Sequence, residues 1–539
     1  MSNTQIDSLL KSLFDTERIQ YNREYNKISK IHKYWSRKPW YVIEQHIIKY
    51  TEPNQTVLDP FCGSGAVGLE AVLNNRRFIG YDLNPAAVFV SKNTLDLGFD
   101  VVQFDTEASQ IETQVKSDIM KLYALDENTY IRYLLPGKHS KDYNCVTTDY
   151  NFKKKQNIHV GDEVLKKQFI IPDGFSYPDK DFPEKFYKDR FSYKGVRKVS
   201  DMFSSRNLYA LAILFNYLHN ASLRYKDLFL LAFTNTLLHV SKLKAENVRP
   251  LSVNNYWIPD DYIEENVIWR FLDRVENVRT AKLLIEERRR FNDAKCTPAY
   301  KIYNKSSIQL GDIEDQSIDY ILTDPPYGDA IQYSELSYIW NCWLQKEFKI
   351  KDEVVINPVQ NKGIDEFQEQ LNNFFSNAKR VLKHSGHFTL CFQNKDMRIW
   401  LGIIQSLKNI GFDLHNIEVY DTFGSPYNRH WAKFSPKSDL YVTFKNIAPA
   451  CRKLGKVAPE HIIQHIVQYL RSNDSNAFDL NKGYDLFVMA VIKSVFTNYE
   501  IESIETLDLK KIISMFEWDT PNANRPATSS KNTQLQFSF

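Results

Sequence analysis

Short apolar runs closed by turn residues recur in the first hundred residues and again beyond residue 300, whereas the stretch between them is patterned at helical spacing. Val57-Leu58 runs into Asp59-Pro60-Phe61-Cys62-Gly63-Ser64-Gly65 and then Ala66-Val67-Gly68-Leu69-Glu70-Ala71. That order reads as a buried strand, a tight glycine turn and a helix. Arg77-Phe78-Ile79-Gly80-Tyr81-Asp82 is a second strand, after which Asn84 and Pro85 form the cap and first turn of another helix. The strand pattern then stops near residue 100 and resumes at Ser307-Ile308-Gln309-Leu310-Gly311-Asp312. Ile318-Asp319-Tyr320-Ile321-Leu322-Thr323 forms a strand leading into Asp324-Pro325-Pro326-Tyr327. Beyond it the pattern predicts a helix over 366–384, a strand over 387–392, a helix over 399–409 and an antiparallel pair at 417–420 and 440–444. Alternating strands and helices give an α/β fold.

The interruption of about two hundred residues exceeds any ordinary loop and is therefore a folded insertion. Its second half reads as packed helices over 207–219 and 228–240. Thr234, Asn235 and Thr236 are expected to be buried and satisfied, and Arg288-Arg289-Arg290 to be solvated. Four segments follow: 1–100, 101–304, 305–446 and 447–539. The first opens on an amphipathic helix (Ile6, Leu9, Leu10, Leu13, Phe14), and the last holds helices at 461–470 and 484–496 before a polar, disordered tail from 522.

Composition changes this picture little. At 539 residues, with 43% hydrophobic and 25% charged residues, the chain is an ordinary globular protein of two or three domains. Lys+Arg 69 against Asp+Glu 66 leaves a net +3, so charge must be read locally. Residues 151–200 hold twelve Lys/Arg against seven Asp/Glu, interleaved with nine Phe/Tyr, the mixture expected of a nucleic-acid surface. Lys153, Lys154 and Lys155 are its candidate phosphate contacts, joined by Arg206 near the start of the first packed helix and by Arg429 in a polar loop. Six scattered cysteines without a C-x-x-C pair suit neither a zinc site nor a disulfide framework and fit a reducing cytoplasm. No signal segment or membrane span is read, and no metal site is expected.

Glycines at 63 and 65 let the backbone turn and a ligand approach, and Asp82, twenty-three residues after Asp59, falls where a strand-helix-strand unit offers a carboxylate to ribose. Without a full G-x-G-x-x-G, a dinucleotide is not the expected ligand. Together, Asp59 to Gly65 and Thr323-Asp324-Pro325-Pro326-Tyr327 resemble the paired signature of S-adenosylmethionine-dependent DNA amino-methyltransferases, which act on adenine N6 or cytosine N4. The resemblance implies a Rossmann-like seven-stranded methyltransferase sheet carrying a large, mostly helical insertion for target recognition and a small helical C-terminal region. It makes Asp59, Pro60, Phe61, Cys62, Gly63, Gly65, Asp82, Leu83 and Asp312 cofactor residues, together with Lys38 and Pro39 at the cofactor's carboxylate end. Asp324, Pro325, Pro326 and Tyr327 become the catalytic set around a flipped base. The partner it implies is double-stranded DNA in a modification or phage-defence system, with any restriction subunit a separate chain. Cytosine-N4 methylation, RNA guanine-N2 methylation and a non-enzymatic recognition subunit are the alternatives.

Overall fold

The structure is a computed structural model that describes residues 18–19, 27–134, 144–147, 155–158, 160–183, 186, 195–245, 249–251, 256–260, 262–295, 299–421, 438–447, 455–459, 462–464, 466, 480–497 and 499–501. Seven strands carry the main sheet: β1 (Thr56–Asp59), β2 (Arg77–Tyr81), β3 (Tyr300–Tyr303), β4 (Ile318–Thr323), β5 (Leu382–Phe392), β6 (Asp413–Asp421) and β7 (Ser438–Lys445). Their order is β6-β7-β5-β4-β1-β2-β3, and the two-residue strand Arg18–Ile19 pairs with the outer edge of β6. Only β7 runs against its neighbours. Successive side chains leave a strand on opposite faces, so Leu58 and Ile321 enter one core while Val57, Tyr320 and Leu322 enter another. A parallel sheet buried on both sides requires such continuous apolar runs.

Helices α1 (Trp40–Tyr50), α2 (Ala66–Leu73) and α3 (Pro85–Leu95) accompany β1 and β2; α3 is capped by Asn84, whose Oδ1 accepts from the Ala86 N–H at 3.1 Å. The insertion contributes α4 (Val101–Tyr123), α5 (Ser205–Asn220), α6 (Lys226–Leu237) and α7 (Val267–Phe291). It also holds a four-stranded antiparallel sheet built from Tyr130–Leu134, Asn144–Thr147, Lys155–Ile158 and Glu264–Glu265, which the sequence pattern does not foretell. After β4 come α8 (Tyr338–Trp343), α9 (Ile364–Val381), α10 (Met397–Ile410) and, towards the C-terminus, α11 (Leu480–Phe496).

Two expectations change. The strand expected at Ile308 to Leu310 is a turn, and its place in the sheet is taken by Tyr300–Tyr303. The arginine run is not uniformly solvated: Arg288 donates to both oxygens of Glu70, which is fully buried on α2, and its guanidinium lies 3.7 Å from the Trp40 ring centroid. The segment between β2 and β3 is therefore anchored to α2 and α1 by α7. Thr234, Asn235 and Thr236 are buried as expected, with Asn235 Oδ1 accepting from the Lys33 N–H. The helix expected from Ile6 to Phe14, the tail from 522, Lys153, Lys154 and Arg429 lie outside the described residues.

Candidate active site

Cys62 leaves β1 with its N–H bonded to the Tyr81 carbonyl at 2.9 Å, and Gly65 N–H closes the turn on the Cys62 carbonyl at 2.7 Å. Ser91 from α3 clips the turn by donating to the Gly63 carbonyl. Both glycines have positive φ, +49° at Gly63 and +80° at Gly65. A Cβ at Gly63 would sit 2.9 Å from the Tyr34 ring, and one at Gly65 would sit 2.8 Å from Leu95 and 3.0 Å from the Ser91 backbone. Glycine is thus required at both positions, by the left-handed backbone and by the close packing of Tyr34, Leu95 and Ser91.

The second loop arrives at the same place. β1 and β4 are hydrogen-bonded neighbours in parallel, Leu58 beside Ile321, and Thr323 donates to Asp59 Oδ1 at 2.8 Å. Asp324, the next residue, therefore emerges next to the glycine turn, at the point where strand order reverses and open α/β sheets bind ligands. A cleft opens there, lined from both loops. Phe61, Ile43, Val67 and Val354 supply apolar wall, while Asp59, Asp82, Asp324, Glu353 and Arg37 supply charge.

These charges are unusual because they are buried. Desolvation pushes Asp59 and Asp82 up to about 7 and Asp324 to about 6, partly opposed at Asp324 by the Lys38 ammonium. Asp82 is held by two backbone donors, Gly63 N–H to Oδ2 and Asn84 N–H to Oδ1, each at 2.8 Å. Arg37 donates to Ser64 Oγ at 2.9 Å and to the carbonyls of Ser29 and His32, all neutral acceptors among the described residues. Among the described residues, Asp324 Oδ1 is buried with no hydrogen-bond partner. A sulfonium amino acid joined to a nucleoside fits this set: a guanidinium for its carboxylate, acids for its hydroxyls and positive sulfur, and a glycine turn beside them.

The acid on β1 gives a stability prediction. Its folded pKa, about 7, lies above the unfolded value, so its contribution is complete below about pH 4 and is lost as pH rises through 7. Asp59→Asn retains the acceptor oxygen for Thr323 and the Phe61 N–H but removes the buried charge. The ligand-free variant should be more stable by roughly 1–3 kcal/mol at pH 8. Thermal unfolding should show that gain shrink at pH 5 and vanish below about pH 4.

Most of the expected cofactor residues line the cleft together: Lys38, Asp59, Pro60, Phe61, Cys62, Gly63, Asp82 and Leu83, joined by Asp324 and Pro326. Pro39, Gly65, Pro325 and Tyr327 do not line it. Tyr327 instead packs edge-on against Phe392, at 5.1 Å between centroids, and its hydroxyl bonds Lys38 Nζ. Asp312 also stands apart, because β3 ends at Tyr303 and not beside it. Its carboxylate is engaged by Lys305 at 2.7 Å and the Tyr81 hydroxyl, and that contact with Lys305 holds it below the usual carboxylate range. The cleft is closed on that side by Ser306 and Ser307. Arg206 is corrected too: it is 2% exposed and ion-paired with Glu264, so its guanidinium is not offered to a phosphate. Lys155 lies on a strand of the small sheet.

Sequence reading overlooked Arg37, whose signal was its place in the same basic and aromatic knot as Lys38. It overlooked Asp439 on β7 and Glu353, which no local pattern marks. Among the described residues no cluster of metal-ligating side chains occurs and no helix is long and apolar enough to cross a membrane.

A sheet of this order, with a glycine turn and an acid-lined cleft at its switch point, defines an α/β protein. Residues 3–93 match the family model described as DNA methylase. The chain is 38% identical over 66 residues to the type II methyltransferase M2.LlaDCHI of Lactococcus lactis subsp. cremoris, covering 12% of this chain and 24% of that protein. It is 31% identical over 143 residues to the type II methyltransferase M.MvaI of Kocuria varians, covering 25% and 30%. The chain thus spans less than a third of the length of these curated relatives. A solved rRNA methyltransferase, aviRa from Streptomyces viridochromogenes, aligns with 79% of this chain and 94% of that one at 8% identity and a TM-score of 0.27. The matched family is the N6/N4 amino-methyltransferase family that the two motifs resemble.

Proposed function

We propose that this protein uses S-adenosylmethionine to methylate the exocyclic amine of a base flipped out of double-stranded DNA, adenine N6 before cytosine N4. The observation that carries the reading is the buried, unpartnered Asp324 Oδ1 beside the glycine turn. The bound cofactor supplies an electrophilic methyl group on a sulfonium. Arg37 would hold its carboxylate, and Asp82 its ribose hydroxyls. Asp324 accepts a hydrogen bond from the base amine, with the Pro325 carbonyl as second acceptor, and so favours the pyramidal nitrogen whose lone pair faces the methyl. Prolines fix that loop in advance, so the acceptors need no rearrangement during transfer. An aspartate at the head of the Asp-Pro-Pro-Tyr motif is the reason adenine is placed first.

Because Asp324 must be ionised to accept, transfer should fall as pH drops through about 6. The basic segment around 151–200 is the proposed DNA-facing part of the insertion. Replacing Lys153, Lys154 and Lys155 together by alanine should reduce the salt slope of DNA affinity by up to about 3, read from binding isotherms at several salt concentrations. Named relatives are type II methyltransferases, which supports a role in restriction-modification or phage defence in the cytoplasm, with any nuclease a separate chain. Transfer of tritiated methyl to unmodified DNA and to tRNA tests the reading. Label in DNA, recovered as N6-methyladenine, is expected; label confined to tRNA, or none in either, would overturn it.

A further inference from the structure

We propose that Lys38 and Asp439 form a clamp that orients Asp324 for the base, and that Lys38 is a positioning residue for catalysis and not a ligand of the cofactor. The inference rests on the function proposed above and deepens it. Lys38 Nζ lies 3.4 Å from Asp324 Oδ2, 3.1 Å from Asp439 Oδ2 and 2.5 Å from the Tyr327 hydroxyl. An ammonium has three donors, and three oxygens of the chain already surround this one. Its side chain is 8% exposed. Arg37, one residue earlier, meets neutral acceptors only, so the two adjacent cations divide the work: Arg37 faces the ligand and Lys38 faces the catalytic loop.

The geometry explains why Asp324 has one engaged and one open oxygen. Lys38 takes Oδ2, and among the described residues Oδ1 is left buried without a partner. Asp439 sits on β7, in register with Tyr420 of β6, so the far jaw of the clamp is fixed by the sheet. The net charge of the three groups is negative by one, which suits a hydrogen-bond acceptor.

Other titratable groups face Asp324: Asp59 from β1, Cys391 from β5, Tyr441 from β7, and Tyr333 ahead of α8, besides Tyr327 on its own loop. Among these groups only Lys38 is cationic. Burial alone drives a carboxyl towards its neutral form, and Lys38 opposes this while Asp439 reinforces it.

The two jaws therefore make opposite predictions. Lys38→Met should move the acid limb of the transfer rate upward by at least about one pH unit, because Asp324 then takes a proton more readily. Asp439→Asn should move the same limb downward, and Lys38→Arg should largely restore the wild-type limb. Cofactor affinity, measured by calorimetry, should stay within about threefold in all three variants. An unmoved limb with cofactor binding weakened tenfold or more in Lys38→Met would make Lys38 a cofactor ligand and overturn the clamp. Lower rates at every pH with unchanged midpoints would overturn it as well, leaving only a structural role. Asp439→Asn is nearly isosteric and carries the test alone should Lys38→Met not fold. Wild-type protein that transfers no methyl removes the proposed function; wild-type transfer with unmoved limbs removes the clamp alone.

Discussion

Asp324→Asn should lower methyl transfer by at least about a thousandfold while leaving cofactor affinity within a few-fold. Asparagine keeps the shape of the side chain but replaces one carboxylate oxygen by a donor and removes the negative charge. The base amine needs an acceptor, because its lone pair is delocalised into the ring until a hydrogen bond favours the pyramidal form. The lesion should fall on kcat, since the interaction strengthens as nitrogen attacks. Cofactor binding should survive because the nearly isosteric change leaves Arg37, Asp59, Asp82 and the glycine turn of the cleft unaltered. Steady-state transfer assays combined with cofactor calorimetry separate the two effects; a variant with wild-type turnover would remove Asp324 from the chemistry.

The second large effect concerns stability. Arg288→Met should cost roughly 3 kcal/mol, since removing one partner of a buried ion pair strands the other. Glu70 is fully buried on α2, and burial pushes it up to about 7 even with Arg288 bonded to both oxygens. Without the guanidinium its folded pKa rises further. A raised carboxyl contributes stability that is complete below its unfolded value and lost as pH climbs, so the penalty should grow from pH 6 to pH 8. Urea unfolding at the two pH values reads this directly, and an equal, small loss at both would show that the pair is not a structural tie. Because Arg288 belongs to the insertion and Glu70 to the glycine-turn helix, the same experiment tests whether the insertion braces the cofactor half.

Local grammar explains which parts were legible. Asp59 to Gly65 and Ile318 to Asp324 each contain their whole instruction: an apolar run, a turn residue and a change of period. Their convergence follows from parallel strand pairing, and the Thr323 to Asp59 hydrogen bond makes it concrete. Tyr300–Tyr303 was missed because four residues of alternating Tyr, Lys and Ile at a sheet edge carry too little apolar signal, whereas Ile308 and Leu310 alternate more plainly yet occupy a turn. Asp312 was misplaced for the same reason. The long helices α4 and α7 are dense in charge on their outer faces, which hid the buried stripe of Phe104, Ile111, Val115 and Ile119.

Arg206 looked free for a phosphate and Arg288 solvated because sequence shows a charge without its partner; Glu264 lies fifty-eight residues from the first, and Glu70 more than two hundred from the second. Asp439 could not be found at all, since its role exists only once β7 is inserted beside β5 and reaches Lys38. A residue whose function is to hold another residue has no motif of its own.

The shared cleft is tested most directly by single-molecule sequencing of genomic DNA from a methylation-deficient host that expresses the wild-type protein or Asp324→Asn. Wild type should leave N6-methyladenine at one recurring sequence, and the variant should leave those sites unmodified. Genomic DNA without any modified base from cells making folded, cofactor-binding wild type, or the same modification from the variant, would contradict it.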